Sequence, residues 1–177
     1  APHKRGRILI GCPAEEDHTF PPLLLSVLLR RHGYDVVYLG ANVPLRSMEV
    51  TINATRPKLV IMTAQQLYTA ASLIGMALLL EQRRITLAFG GLIFNRIPAL
   101  AGAIPGIFLG DSFEAGLETV HKIMAETTYR ETGVNIPPEN LAARDHFHHH
   151  QSEIEADIWA ELSGKSVPAR QLDVANR

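Results

Sequence analysis

Short apolar runs alternate with segments of helical spacing through residues 7–126, and this alternation leaves few folds open. RILIGC (7–12), DVVYLG (35–40), KLVIMTA (58–64), TLAFGG (86–91) and GIFLG (106–110) read as short buried strands. PPLLLSVLLRRH (21–32) reads as a helix with prolines in its first turn and Gly33 as its stop. PLRSMEVTINATR (44–56) is a helix ended by Pro57, 68–83 a long helix, and 95–103 a short one. Ser112 is placed to cap a last helix running to about residue 126, with Glu114 near its positive end. Five βα units predict an α/β fold with a parallel sheet covered on both faces. Right-handed crossovers and the lack of a sixth unit favour the flavodoxin-like (Rossmann-like) order 2-1-3-4-5. Ligands of such sheets sit beyond the carboxyl ends of the strands, which singles out loops 12–20, 40–44, 63–67, 90–95 and 110–112.

The domain is expected to span 1–128, with a linker at 129–137. Pro138 suits the first turn of a helical extension over 138–163, and 164–177 reads as a tail or linker. Leu141, Phe147, Ile154, Ile158 and Leu162 recur there at helical spacing, with Trp159 beside them. One amphipathic helix cannot bury its own stripe, so it needs the domain, a second copy or another protein. A homo-oligomer, or a helical cap domain or partner protein, is therefore expected.

The 177 residues carry a net charge of −1, without the basic footprint of a nucleic-acid-binding domain. No apolar run approaches the roughly 20 residues of a membrane helix. The basic N-terminus is followed by an apolar stretch too short for a signal peptide, and Cys12 is the single cysteine. A cytoplasmic protein is the expectation.

The first strand-to-helix turn lacks GxGxxG, which argues against a dinucleotide clasp. SGKS (163–166) is no P-loop, because Trp159 stands where its first glycine belongs and the segment follows a helix. The turn carries Glu16, Asp17 and His18 instead. A loop histidine is most often a plain surface residue. Here a carboxylate two positions earlier can hold one ring nitrogen and leave the other free, the arrangement that fixes the tautomer of a metal-ligating imidazole. Cys12 reads as a small buried residue rather than a nucleophile, since no histidine other than His18 is placed as its base. HFHHH (146–150) puts His146 one helical turn from His149 and His150. It reads as a polar or interface patch, with metal binding or a cap over a bound cofactor as alternatives. Gly90-Gly91 and Thr63 could each be an ordinary strand end.

Taken together, Glu16-Asp17-His18, Thr63-Ala64-Gln65 and Gly90-Gly91 fall at three strand ends and resemble the cobalamin (vitamin B12)-binding domain of corrinoid proteins. That family's motif is Asp-x-His-x-x-Gly, Ser-x-Leu and Gly-Gly, and the resemblance covers about residues 5–126. RRHGYDVVYLGANVP and FGGLIFNRIPALAGAIPGIFLGDSFEAGLE extend it beyond the motif. It departs at Glu16 for Asp, Pro21 for the last Gly, and Thr63-Ala64-Gln65 for Ser-x-Leu. The resemblance implies that His18 replaces the cofactor's own dimethylbenzimidazole below cobalt and that Glu16 orients His18. It implies that Thr63 bonds near the displaced nucleotide tail, and that Gly90 and Gly91 let that tail pass. The implied cofactor-binding set is Glu16, Asp17, His18, Thr19, Thr63, Gln65, Gly90, Gly91 and Phe94. Adenosylcobalamin is the first expectation for the cofactor and methylcobalamin the second, with no catalytic residue of the chain's own.

The glutamate resembles the sensory branch of the family, the light-responsive regulators. No catalytic partner domain is visible, and no helical cap segment precedes the first strand. The expectation is therefore a cobalamin-binding sensor that signals through helical packing or oligomerisation, without DNA contacts of its own. The alternative is a corrinoid methyl carrier or a mutase cobalamin subunit. A receiver-like interaction module is a third reading. It is opposed by Met62-Thr63, where a receiver needs an aspartate, and by Asp111, where it needs a lysine.

Overall fold

A computed structural model describes residues 6–126 continuously, together with 129, 137–139, 142, 143, 145, 146, 149, 150, 153, 156, 157 and 160. The chain divides into two compact units, Ala1–Asn135 and Ile136–Arg177. In the first, β1 (Arg7–Pro13), α1 (Phe20–Arg31), β2 (Asp35–Val43), α2 (Leu45–Thr55), β3 (Leu59–Thr63) and α3 (Leu67–Gln82) follow in order. Then come β4 (Thr86–Gly90), α4 (Leu92–Arg96), a 3-10 turn (Pro98–Ala103), β5 (Ile107–Phe108) and α5 (Phe113–Ala125). The strands form one parallel sheet in the order β2-β1-β3-β4-β5, as the alternation predicts.

Successive side chains of a strand face opposite sides, so each strand feeds two cores. Ile8, Ile10, Leu59, Ile61 and Ala88 pack with Leu25, Leu29, Val120 and Ile123 of α1 and α5. Leu9, Val60, Met62, Leu87 and Phe89 pack with Met48, Ile52, Leu73, Met76 and Leu80 of α2 and α3. The central strands are buried on both faces, which is why they read as unbroken apolar runs. Lys58 Nζ donates to the Met124 carbonyl at 2.8 Å, setting a cation at the carbonyl end of α5.

Three elements differ from expectation, the first being the last strand, read over 106–110 and found only at Ile107–Phe108. The helix expected over 95–103 is instead the short α4, starting at Leu92, followed by the 3-10 turn. Pro98 cannot donate to a continuing helix and drives Ile97 to an extended conformation, φ −130° and ψ 78°. Strand β2 also runs past Gly40 to Val43, with its register against β1 shifting on both sides of Gly11. Gly40 (φ +82°) and Asn42 (φ +48°) absorb the bend.

Among the described residues between 138 and 160 the second unit is helical. The apolar stripe at Leu141, Phe147, Ile154, Ile158, Trp159 and Leu162 lies outside the described residues, as does the tail. No helix among the described residues is long and apolar enough to cross a membrane.

The paired glycines at the end of β4 are under different constraints. At Gly91, with φ +125°, a Cβ would sit 2.0 Å from the Ala64 carbonyl oxygen. At Gly90 the nearest contact is Leu109 at an ordinary 3.7 Å. Gly91→Ala is expected to cost about 3 kcal/mol or more in urea unfolding, combining strain with overpacking. Gly90→Ala should stay within about 1 kcal/mol of wild type.

Candidate functional site

The turn after β1 is held from below by the extended end of β2. Asn42 Oδ1 accepts the Glu15 N–H at 3.0 Å, and the Asn42 N–H donates to the Glu16 carbonyl at 3.0 Å. These bonds fix a turn in which Glu15 takes φ +67° and the Glu16 side chain points inward, 1% exposed.

The buried carboxylate of Glu16 is saturated. Oε1 accepts the His18 backbone N–H at 3.0 Å and lies 2.6 Å from His18 Nδ1. Oε2 accepts the Gln65 N–H and the Thr69 hydroxyl, each at 2.7 Å. Burial alone would push this carboxyl up. The Gln65 N–H, the Thr69 hydroxyl and the two His18 donors outweigh burial and hold it below the usual carboxylate range. An ionised Glu16 accepts at both oxygens, so His18 Nδ1 carries a proton and Nε2 is the ring nitrogen turned away from the carboxylate. The His18 side chain is half exposed, and Nε2 makes no hydrogen bond among the described residues. The result is an imidazole oriented by a buried anion and presenting a free nitrogen at the carboxyl edge of the sheet.

Beside it opens a cleft of about 230 Å³ between the ends of β3, β4 and β5, lined by Thr63, Gln65, Gly90, Gly91, Leu109 and Gly110 among others. Pro21 and Leu25 of α1 and Phe113 of α5 complete its walls. Gln65 joins cleft and turn, since its backbone N–H holds Glu16 while its side chain lines the cleft. Around the same edge, the first residue of each of α1 to α5 is a large apolar side chain left at least a third exposed: Phe20, Leu45, Leu67, Leu92 and Phe113. Exposed apolar groups clustered on one edge suit a broad apolar ligand or a partner surface.

The structure thus brings Glu16, His18, Thr63, Gln65, Gly90 and Gly91 to one edge. Thr19 stands at the start of α1 with its side chain making no capping bond, and Asp17 is exposed. Phe94 lies elsewhere: it is buried in the core with its ring 4.9 Å from that of Phe89. Its place in the sequence, three residues after the glycine pair, is the first turn of α4, whose inner face packs on the sheet. The demand for glycine at 91 comes from the chain's own Ala64 carbonyl.

Sequence reading missed Thr69 and Asn42, the residues that anchor the carboxylate and the turn. Thr69 had a readable signal, a hydroxyl three residues after Gln66 at a helix start, where the two form a reciprocal cap. Asn42 acts only through the bulged end of β2.

Cys12 is buried 3.8 Å from Thr63 Oγ1. Burial, with Glu16 and Asp17 nearby, pushes its thiol up to about 11 against the lowering effect of the Thr63 bond, so it is a thiol near neutral pH. In the second unit the His146 and His150 rings stack 4.2 Å apart, and His150 Nδ1 bonds the His146 carbonyl at 2.9 Å. Among the described residues no group of three or more His, Cys, Asp or Glu side chains is placed to hold a metal ion.

No family model matches the sequence, and no curated protein matches it. Solved structures share its fold. A cobalamin-binding protein from Desulfitobacterium hafniense aligns over 68% of this chain and 60% of its own, at 14% identity and TM-score 0.59. The methanol:cobalamin methyltransferase complex MtaBC of Methanosarcina barkeri aligns over 72% and 50%, at 24% identity and TM-score 0.62. The monomethylamine corrinoid protein of the same organism aligns over 67% and 58%, at 17% identity and TM-score 0.54. The chain therefore spans between half and three-fifths of the proteins it resembles, and at these identities the likeness is one of fold.

Three outcomes follow from the geometry. Glu16→Gln is expected to lower stability by about 1–3 kcal/mol at pH 7, because an amide cannot accept from all four donors. A carboxylate held low in the fold stabilises fully above the ordinary range near pH 4 and loses its contribution as pH falls through the lowered value. Urea midpoints from pH 7 to pH 2 should therefore drop more steeply in wild type than in Glu16→Gln. Cys12 should resist alkylation by iodoacetamide at pH 8 in the folded protein and react once it is unfolded in urea, as mass spectrometry will read.

Proposed function

We propose that this chain is a corrinoid-binding domain, in which His18 Nε2 ligates cobalt from below and the cleft at Thr63, Gln65, Gly90 and Gly91 receives the nucleotide tail. The observation that carries the reading is the 2.6 Å contact from the buried, ionised Glu16 to His18 Nδ1, which leaves the opposite ring nitrogen without a partner among the described residues at the carboxyl edge of the sheet.

The residues present fit such a group. An imidazole whose other nitrogen is held by a carboxylate is a donor that would suit cobalt, with His18 as the residue that would hold it. The ring of apolar first-turn residues suits a flat macrocycle lying across the sheet edge. The cleft is apolar at Leu25 and Leu109, polar at Thr63, Gln65, Asn95, Asp111 and Ser112, and bounded by bare backbone at Gly90 and Gly91. Gln65 Nε2, buried without a partner, is a donor left for a ligand.

When bound, the cobalt supplies the alkyl-transfer chemistry. The protein's work is orientation. Glu16 keeps the Nδ1 proton in place and so keeps Nε2 a ligand. Thr69 and the Gln65 N–H keep Glu16 from turning away. Asn42 fixes the backbone from which both side chains leave.

The fold neighbours include a methanol:cobalamin methyltransferase complex and a monomethylamine corrinoid protein, which supports a methyl-carrying role in concert with a partner protein. The sensory role expected from the sequence, with adenosylcobalamin and a light-driven change in assembly, draws on Glu16 and on a coupling helix whose apolar stripe lies outside the described residues. Under either reading, a helical cap, a partner protein or a second copy would cover the upper side.

Reconstitution with methylcobalamin and adenosylcobalamin tests the reading. The wild-type visible spectrum should shift to the histidine-ligated form. His18→Ala should lose that form, and Glu16→Gln should weaken binding about 10–100-fold. A spectrum indifferent to His18→Ala would sink the ligand assignment. Methyl transfer to a thiol or corrinoid-dependent partner would support the carrier, and a light-induced change in oligomeric state the sensor.

A further inference from the structure

Gln65 Nε2 is the one side-chain nitrogen or oxygen among the described residues that is buried without a hydrogen-bond partner. Its orientation is determined. Gln65 Oε1 accepts the Leu92 N–H at 2.9 Å, and a flipped amide would set donor against donor. A buried amide N–H without an acceptor is costly and rarely left unmet in native proteins, so its place in the cleft wall calls for a ligand atom. The terminal torsion of glutamine is soft, so the amide can turn toward a ligand acceptor in the cleft that its side chain lines. Thr63, on the same wall, brings a hydroxyl whose contact within the fold is a long one, 3.8 Å to Cys12 Sγ, and which a ligand acceptor can recruit as a second donor. Glycines and apolar side chains such as Leu25 and Leu109 make up most of the rest, with Asn95, Asp111 and Ser112 as further polar groups.

We propose that the cleft selects a corrinoid whose lower base is a purine over one whose lower base is dimethylbenzimidazole, with the Gln65 amide as the selecting donor. The inference rests on the corrinoid reading above. Dimethylbenzimidazole, once off cobalt, offers a single free ring nitrogen, which one donor satisfies. Its six-membered ring otherwise presents carbon and methyl groups, against which the second donor stays unpaired. A purine carries nitrogen acceptors in that same ring and can meet both donors. A site with a buried donor discriminates strongly against a ligand that cannot accept from it. Leucine at this position would leave no such requirement.

The test titrates the full chain with two corrinoids sharing a methyl upper ligand, one with adenine and one with dimethylbenzimidazole as lower base. Dissociation constants are read from the visible spectrum for wild type, Gln65→Leu and Gln65→Met. Adenine is already detached from cobalt in solution, so a wild-type preference alone does not decide the matter. That property cancels when ratios are compared between variants. The preference for the adenine form should fall about tenfold in both variants, while dimethylbenzimidazole affinity changes less than about threefold. An unchanged ratio overturns the proposal. An equal loss for both corrinoids also overturns it, since Gln65 would then bond the ribose or phosphate common to the two. Failure of wild type to bind either corrinoid removes the corrinoid reading itself, and this inference with it.

Discussion

A single buried carboxylate organises the functional edge of this protein. Glu16 sits where three separate parts of the chain converge: the turn after β1, the loop after β3 and the first turn of α3. An ionised group in that position is tolerable only because each oxygen accepts two hydrogen bonds. The same bonds deny Glu16 any freedom and transmit its fixed position to the His18 ring. The extra methylene relative to an aspartate is what lets a side chain on the first turn reach Thr69, 53 residues away.

The sheet supplies the rigidity this arrangement needs. Strands β1, β3 and β4 are buried on both faces, and their carboxyl ends cannot shift without disturbing two cores at once. Gly91 is pressed against the Ala64 carbonyl, locking the end of β4 to the end of β3. The inner end of the cleft is therefore set by the backbone of Gly90 and Gly91, with side chains of α1 and α5 completing its walls. What remains adjustable lies in side chains, chiefly the Gln65 amide.

Much of this was legible beforehand. The βα alternation predicted the sheet order, because period-two and helical patterns separate cleanly and Pro, Gly and Ser punctuate them. The pairing of Glu16 with His18 was readable because the two are adjacent in sequence. Partners brought together by folding were not. Nothing local to Thr69 or Asn42 announces the carboxylate that each supports, and the bulge that places Asn42 arises from the register of β1 against β2. Nearness to the glycine pair does not say which face of α4 Phe94 occupies, and the structure places it in the core against Phe89. The helix drawn over 95–103 ignored Pro98, a signal present in the sequence.

The central claim is one bond between His18 and cobalt. Electron paramagnetic resonance of the protein loaded with corrinoid in its cobalt(II) state reads it directly, because the unpaired electron couples to the nucleus of the axial nitrogen. Protein grown with 15N-histidine, loaded with an unlabelled corrinoid, should show the axial splitting change from a triplet to a doublet. A triplet that survives the labelling would mean that the cofactor's own base still holds the metal and that His18 does not.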